Sequence, residues 1–361
     1  MSRRATILLS VLVAFAVIGG VIVATSGKGR TNPAEAAPSF ATQSPAAPSS
    51  TAVPEPTPAA DEAPTATGAK APEGVDPNDP AFVLNDEDPC VSPCSKLDVT
   101  YGSATSVLNP DAGRQSLALD LFRSRKTPKR DAPVVILLHG GGFVEGNRTI
   151  MRVGAEQLAN AGFLVASIQY RLVPRERNNG APIAKTADIL VAAEEATEDT
   201  QMAMRYIRRH AKELGATKTK DRYAVGGYSA GAITAMRVAL RGGDKATPAS
   251  RRWKLGAAFG ISGFECGRWT KEYGCKAAYD EADPPIQVFH GEADSIVSFS
   301  WGRDTCEEAQ LKGGGCQGYY YPENDHLWSS GTMFGGAKGL TKRRPAIFPT
   351  VATFLKKELA A

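Results

Sequence analysis

Arg222-Tyr223-Ala224-Val225-Gly226-Gly227-Tyr228-Ser229-Ala230-Gly231 is a β-rich run closing on a GxSxG pentapeptide, and the apolar stretch from Ile233 to Leu240 behind it can carry a helix. A serine held on a tight turn between a strand and a helix sits in strained backbone geometry, with its hydroxyl standing out at the sheet edge. Glycines two positions either side leave room for the turn. A bare GxSxG also reads as a glycine-rich turn packed on a sheet. The flanking strand and helix make Ser229 a candidate nucleophile.

Ninety residues upstream, His139-Gly140-Gly141-Gly142-Phe143 follows the apolar run 134–138. Three consecutive glycines after a strand suit a loop that aims backbone N–H groups at one point. Donors fixed in advance stabilise the negative oxygen of an attacked carbonyl more than they stabilise the ground state. Gly141 and Gly142 are the candidate donors, with the amide of Ala230 completing the hole. His139 opens this loop, where it can brace it by hydrogen bonding.

A serine hydroxyl needs a base, normally a histidine oriented by a carboxylate. The chain has four histidines. His139 belongs to the loop, His210 lies in a charged helical stretch, and His290 ends an apolar strand and reads as structural. His326 follows Tyr319-Tyr320-Tyr321 in the polar loop Glu323-Asn324-Asp325-His326, a place that suits a base. Asp294, 65 residues after Ser229 and 32 before His326, is the best-placed acid; Glu292 competes with it, and Asp283 and Asp325 are weaker.

The chain resembles the α/β-hydrolase superfamily, and within it the carboxylesterases related to hormone-sensitive lipase and other HGGG esterases. HGGGF and Gly227-Tyr228-Ser229-Ala230-Gly231 carry the resemblance, joined by Tyr170-Arg171-Leu172-Val173-Pro174 and by His290-Gly291-Glu292-Ala293-Asp294-Ser295-Ile296-Val297, which is similar to the HGxxDxxV stretch of the family's triad acid. It extends over about 117–359. Tyr228 stands where many relatives have an acidic residue, and Ser298 where a proline is frequent. The resemblance implies a Ser229, Asp294 and His326 triad and an oxyanion hole at Gly141, Gly142 and Ala230.

Independently of any family, short apolar runs at 97–101, 117–122, 134–138, 163–168, 222–225, 255–261, 286–289 and 318–321 alternate, after the first pair, with helical stretches at 150–161, 186–214, 232–240, 302–312 and 346–358. That pattern predicts an α/β domain, a mostly parallel eight-stranded sheet with helices on both faces.

Residues 1–30 place Arg3 and Arg4 before a twenty-residue uncharged run at 5–24, long enough for an N-terminal membrane anchor and readable also as a signal peptide. Residues 31–80 hold 11 of the 24 prolines amid alanine, serine and threonine, so 31–89 reads as a disordered linker and 90–361 as the catalytic domain. The localisation expected is extracytoplasmic, anchored or secreted. The six cysteines then suggest disulfides, with proximity favouring Cys90–Cys94, Cys266–Cys275 and Cys306–Cys316.

Residues 1–30 carry four cations and no acid, and 31–89 ten acids against one lysine, which leaves the domain with 37 cations, 28 acids and a net +9. Scattered solvated charge explains this, as does attraction to an anionic surface or substrate. No zinc spacing, dinucleotide fingerprint, phosphate loop or nucleic-acid module is present, so no metal, cofactor or nucleic-acid partner is expected. The reading is a monomeric serine esterase acting on a small-molecule or cell-surface ester. The same triad would also serve a peptidase or a polysaccharide acetyl or feruloyl esterase, and a hydrolase scaffold can serve binding alone. Phe143, Tyr228 and Trp328 are candidates to line the substrate pocket, although residues of these kinds more often serve simple packing. The insertion 262–285 could cap the site; it is polar, with eight charged residues, which points to short acyl groups of about two to six carbons.

Overall fold

The computed structural model describes residues 94–180, 183–240, 253–265, 279 and 281–360, excepting the side chains of Cys94, Asn178, Thr186 and Ala187. The expectations for 1–30 and 31–89, for most of the 262–285 insertion and for the pairings of Cys90 and of Cys266 with Cys275 fall outside them. Among the described residues no helix is long and apolar enough to cross a membrane.

Eight strands form one sheet. They are β1 (Cys94–Ser106), β2 (Asn109–Arg123), β3 (Val134–Leu138), β4 (Leu164–Ile168), β5 (Tyr223–Tyr228), β6 (Ala257–Ile261), β7 (Ile286–Gly291) and β8 (Cys316–Tyr321). Their spatial order is β1-β2-β4-β3-β5-β6-β7-β8. β2 pairs antiparallel with both β1 and β4, and every other pairing is parallel. The eight runs read from sequence are these strands. β1 and β2 reach further than their apolar cores because they form a long hairpin whose outer part is solvated.

The central strands read as unbroken apolar runs because both faces are covered. In β3, Val134, Ile136 and Leu138 point into one core with Ile189, Ala192, Ala235 and Met236, while Val135 and Leu137 point into the other with Leu158, Ile347, Phe348 and Val351. The first core lies under α2 (Thr186–Arg209) and α4 (Ala230–Leu240), and the second under α1 (Arg152–Ala161) and α7 (Ile347–Glu358). The predicted 186–214 helix is two, because the chain leaves α2 at His210 before the single turn α3 (Ala211–Leu214). α5 (Phe299–Leu311) covers β7 and β8, and Cys306 on it is joined to Cys316 at the start of β8 in the expected disulfide, Cα atoms 5.4 Å apart. A short α6 (Ser330–Phe334), not anticipated, starts at Ser329, whose hydroxyl caps Thr332 N–H.

Each of β3, β5, β7 and β8 delivers a loop to the carboxyl edge of the sheet: the HGGG loop, the Ser229 turn, the Asp294 loop and the His326 loop. Ligand sites of open α/β sheets lie at this edge.

Candidate active site

Ser229 lies between the last residue of β5 and the first of α4 at φ 54°, a left-handed conformation that a non-glycine residue adopts only under constraint from its surroundings. The constraint is crowding. A Cβ on Gly231 would lie 2.3 Å from the Leu138 carbonyl oxygen, and one on Gly227 would lie 2.5 Å from Gly231 backbone. Because both are glycine, α4 can start hard against the end of β3, and the turn presents the serine.

His326 Nε2 is 2.9 Å from Ser229 Oγ. Its Nδ1 lies 2.9 and 3.0 Å from the two Asp294 carboxylate oxygens. A carboxylate only accepts, so Nδ1 carries the proton and Nε2 offers its lone pair to the serine hydroxyl. His326 is buried and the Asp294 side chain fully so. Burial works to raise the Asp294 pKa, but bonds donated by His290, His326 and the Val297 amide outweigh it and hold the carboxyl well below the usual range. Asp294 is therefore an anion at neutral pH.

Gly141 (φ 119°) and Gly142 (φ 58°) shape the loop after β3. The Gly141 carbonyl accepts from Val144 and Glu145, and the Gly142 carbonyl accepts from Ala184 at 2.8 Å. The amides of Gly141, Gly142 and Ala230 donate to no backbone acceptor among the described residues. His139 braces the loop: its Nδ1 meets the Gly140 carbonyl at 2.7 Å, and its ring stacks on Tyr170 at 4.3 Å. Burial drives its pKa down to about 4 against the raising effect of that bond, so it is neutral.

Phe143 is 1% exposed and packs edge-on to Tyr170. Trp328 donates its indole N–H to Ser262 Oγ at 2.8 Å and stands perpendicular to Tyr321. Tyr228 turns its hydroxyl to the His326 carbonyl at 2.9 Å. Of the rival acids, Glu292 is exposed, and Asp325 accepts from Ser295 N–H and Oγ, each at 2.8 Å. His210 pairs with Glu213 on the surface. No group of His, Cys, Asp and Glu able to hold a metal ion occurs among the described residues.

A family model, BD-FAE, matches residues 119–254. Esterase LipI of Mycobacterium tuberculosis is 34% identical over 119 residues, 33% of this chain and 32% of that protein. The non-reducing polyketide synthase ausA of Emericella nidulans is 30% identical over 131 residues, 36% of this chain and 5% of the synthase. The chain thus spans about a third of the length of the first relative and a small fraction of the second. Among solved structures, Thermogutta terrifontis esterase 2 phosphoramylated by tabun superimposes with a TM-score of 0.52 at 20% identity, over 73% of this chain and 94% of that one. A truncated carbohydrate esterase from gut microbiota does so with a TM-score of 0.52 at 15% identity, over 74% and 96%. The chain has the α/β-hydrolase fold.

Two parts of the site are not apparent from the motifs. His290, read as structural, sits on the acid: its Nε2 faces Asp294 Oδ2 at 3.2 Å and the Val297 carbonyl at 3.0 Å. Two acceptors at one nitrogen place the proton there, so His290 is a second donor to Asp294. The spacing His290-x-x-x-Asp294 was visible, but only the turn after β7 brings the pair together. The second part is the support of the HGGG loop. Tyr170 Oη donates to the His139 carbonyl at 2.7 Å, and Arg171 beside it is buried on the Asp199 carboxylate of α2. The YRLVP segment therefore ties the HGGG loop to a helix on the sheet's face.

Proposed function

We propose that the protein is a serine carboxylesterase that hydrolyses short-chain carboxylic esters through an acyl-enzyme. The observation that carries the reading is the unbroken relay from Ser229 Oγ through the His326 ring to a buried Asp294 anion, with bonds of 2.9 Å at each step. His326 Nε2 takes the hydroxyl proton as Ser229 Oγ attacks the ester carbonyl, and Asp294 stabilises the imidazolium that forms. The carbonyl oxygen, now negative, is received by the amides of Gly141, Gly142 and Ala230. The imidazolium then protonates the departing alkoxide, leaving an acyl group on Ser229. Water, deprotonated by the same nitrogen, attacks that ester and returns the serine.

Two further features fit an enzyme working outside the cytoplasm, anchored by residues 5–24 or released from them. One is the Cys306–Cys316 disulfide, which persists in oxidising compartments; the other is the long proline-rich spacer before the domain. The short-acyl preference rests on the composition of 262–285, in which eight charged residues surround only Phe264, Trp269, Tyr273 and Tyr279 as large apolar groups for a lipid interface. A nitrophenyl ester series tests it. Turnover should peak at about two to six acyl carbons without a jump at the solubility limit. A maximum at twelve carbons or more would contradict the substrate class, and no turnover of any ester would contradict the reaction.

A further inference from the structure

Tyr228 is the residue before the nucleophile, and its side chain touches three catalytic elements at once. It belongs to the Ser229 turn. Its ring lies against the oxyanion loop, where a Cβ on Gly140 would fall 2.8 Å from Tyr228 Cδ1 and 3.1 Å from Ser229 Cβ. Its ring centroid is 5.4 Å from the His326 ring at 35°, and its hydroxyl donates to the His326 backbone carbonyl at 2.9 Å. Other bonds hold the neighbours of the base. Asp325 Oδ1 ties its own residue to Ser295, and the Trp328 indole anchors two positions further on. The main chain of His326 itself is reached by Tyr228 from the carbonyl side and by Asp325 Oδ1 from the amide side.

We propose that Tyr228 is a positioning residue for the general base, fixing the height of the His326 imidazole over Ser229 and the span between the base loop and the oxyanion loop. The proposal rests on the ester-cleaving reading above. During turnover His326 Nε2 serves two oxygens in succession, the serine hydroxyl and the leaving alkoxide, so its ring must pivot on a main chain that stays put. A hydroxyl donor on the carbonyl and a tilted ring beside the imidazole provide that pivot. Burial first, then the charges of Asp294 and Asp325, push the Tyr228 pKa far up, so its hydroxyl keeps its proton and remains a donor over the working range. A smaller side chain would leave Gly140 and His326 without their common spacer.

The test is Tyr228→Phe in the full chain, assayed with nitrophenyl butyrate and normalised to active serine by fluorophosphonate titration. Tyr321→Phe is the control, since it also removes a tyrosine-to-carbonyl bond, that to Pro345, in the strand that leads to the His326 loop. For Tyr228→Phe, kcat should be about tenfold lower with KM within about twofold. The acid limb of kcat should move to lower pH, because a loosened imidazole makes a weaker bond to Asp294 and its cation is less stabilised. Tyr321→Phe should keep kcat and the limb. Unchanged kcat and limb in Tyr228→Phe would overturn the proposal, as would a raised KM at full kcat, which would make Tyr228 a pocket wall. Equal losses in both variants would reduce it to general stability and overturn it too. Absence of turnover in the wild type is a separate result, which removes the esterase reading itself.

Discussion

The serine side of the site is built from backbone, and the acid–base side from side chains. Ser229, Gly141, Gly142 and Ala230 owe their placement to turns in which glycine alone fits, at distances set by β3, β5 and α4. Asp294 and His326 stand on separate loops held by side-chain hydrogen bonds: His290 and Val297 on Asp294 within the first, Asp325 on Ser295 between the two, and Trp328 on Ser262 after β6. The first kind of construction tolerates no added atom and has little to adjust. The second is a set of bonds of about 0.5–1.5 kcal/mol each, or somewhat more where charge is involved, so it can be loosened one member at a time. The serine side should fail all at once, and the acid–base side by degrees.

The largest effect joins the two sides. Ser229→Ala and His326→Ala should each lower kcat by about 10⁶, and the double variant by no more, because the two act as one unit. Asp294→Asn should cost about 10⁴, since an amide in its place favours the wrong imidazole tautomer. Steady-state kinetics on folded variants checks this. Additive losses in the double variant would mean that serine and histidine do not share a step.

On the serine side, His139 provides a handle on stability. Its folded-state pKa, about 4, lies below the unfolded value near 6.5, so the unfolded chain binds the extra proton between them. Stability attributable to His139 is full above about pH 6.5 and declines by ~3 kcal/mol as pH falls towards 4. Thermal melts of wild type and His139→Gln across that window should show the wild type losing more. Parallel curves would place the acid sensitivity elsewhere.

On the acid–base side the effect should be smaller and recoverable. Asp325→Ala removes the tie to Ser295 and should lower kcat about fivefold with little change in melting temperature, the residue being exposed. Asp325→Asn keeps an acceptor oxygen and should recover most of the loss. If Asn is as impaired as Ala, charge and not the tether is what His326 requires.

The same contrast explains what the sequence could and could not disclose. A backbone site is contiguous, so Gly227 to Gly231 and His139 to Phe143 were legible as they stood, and the buried parallel strands were legible as unbroken apolar runs. A side-chain site is assembled from distant loops, so Asp294 and His326 emerged from order and elimination, while His290 was passed over because its ring meets Asp294 only after the turn beyond β7. Tyr228 had the position of a pocket residue, and nothing in its neighbours indicated that its hydroxyl would find a carbonyl 98 residues later. α6 went unseen because five residues give too little periodicity to register.

The central claim is that Ser229 is the nucleophile, made reactive by His326. A biotinylated fluorophosphonate followed by peptide mapping reads this directly. One adduct should form, on the peptide carrying Ser229, in step with loss of ester turnover; it should be absent in Ser229→Ala and greatly slowed in His326→Ala. An adduct on another residue, or ester turnover that persists in Ser229→Ala, would contradict it.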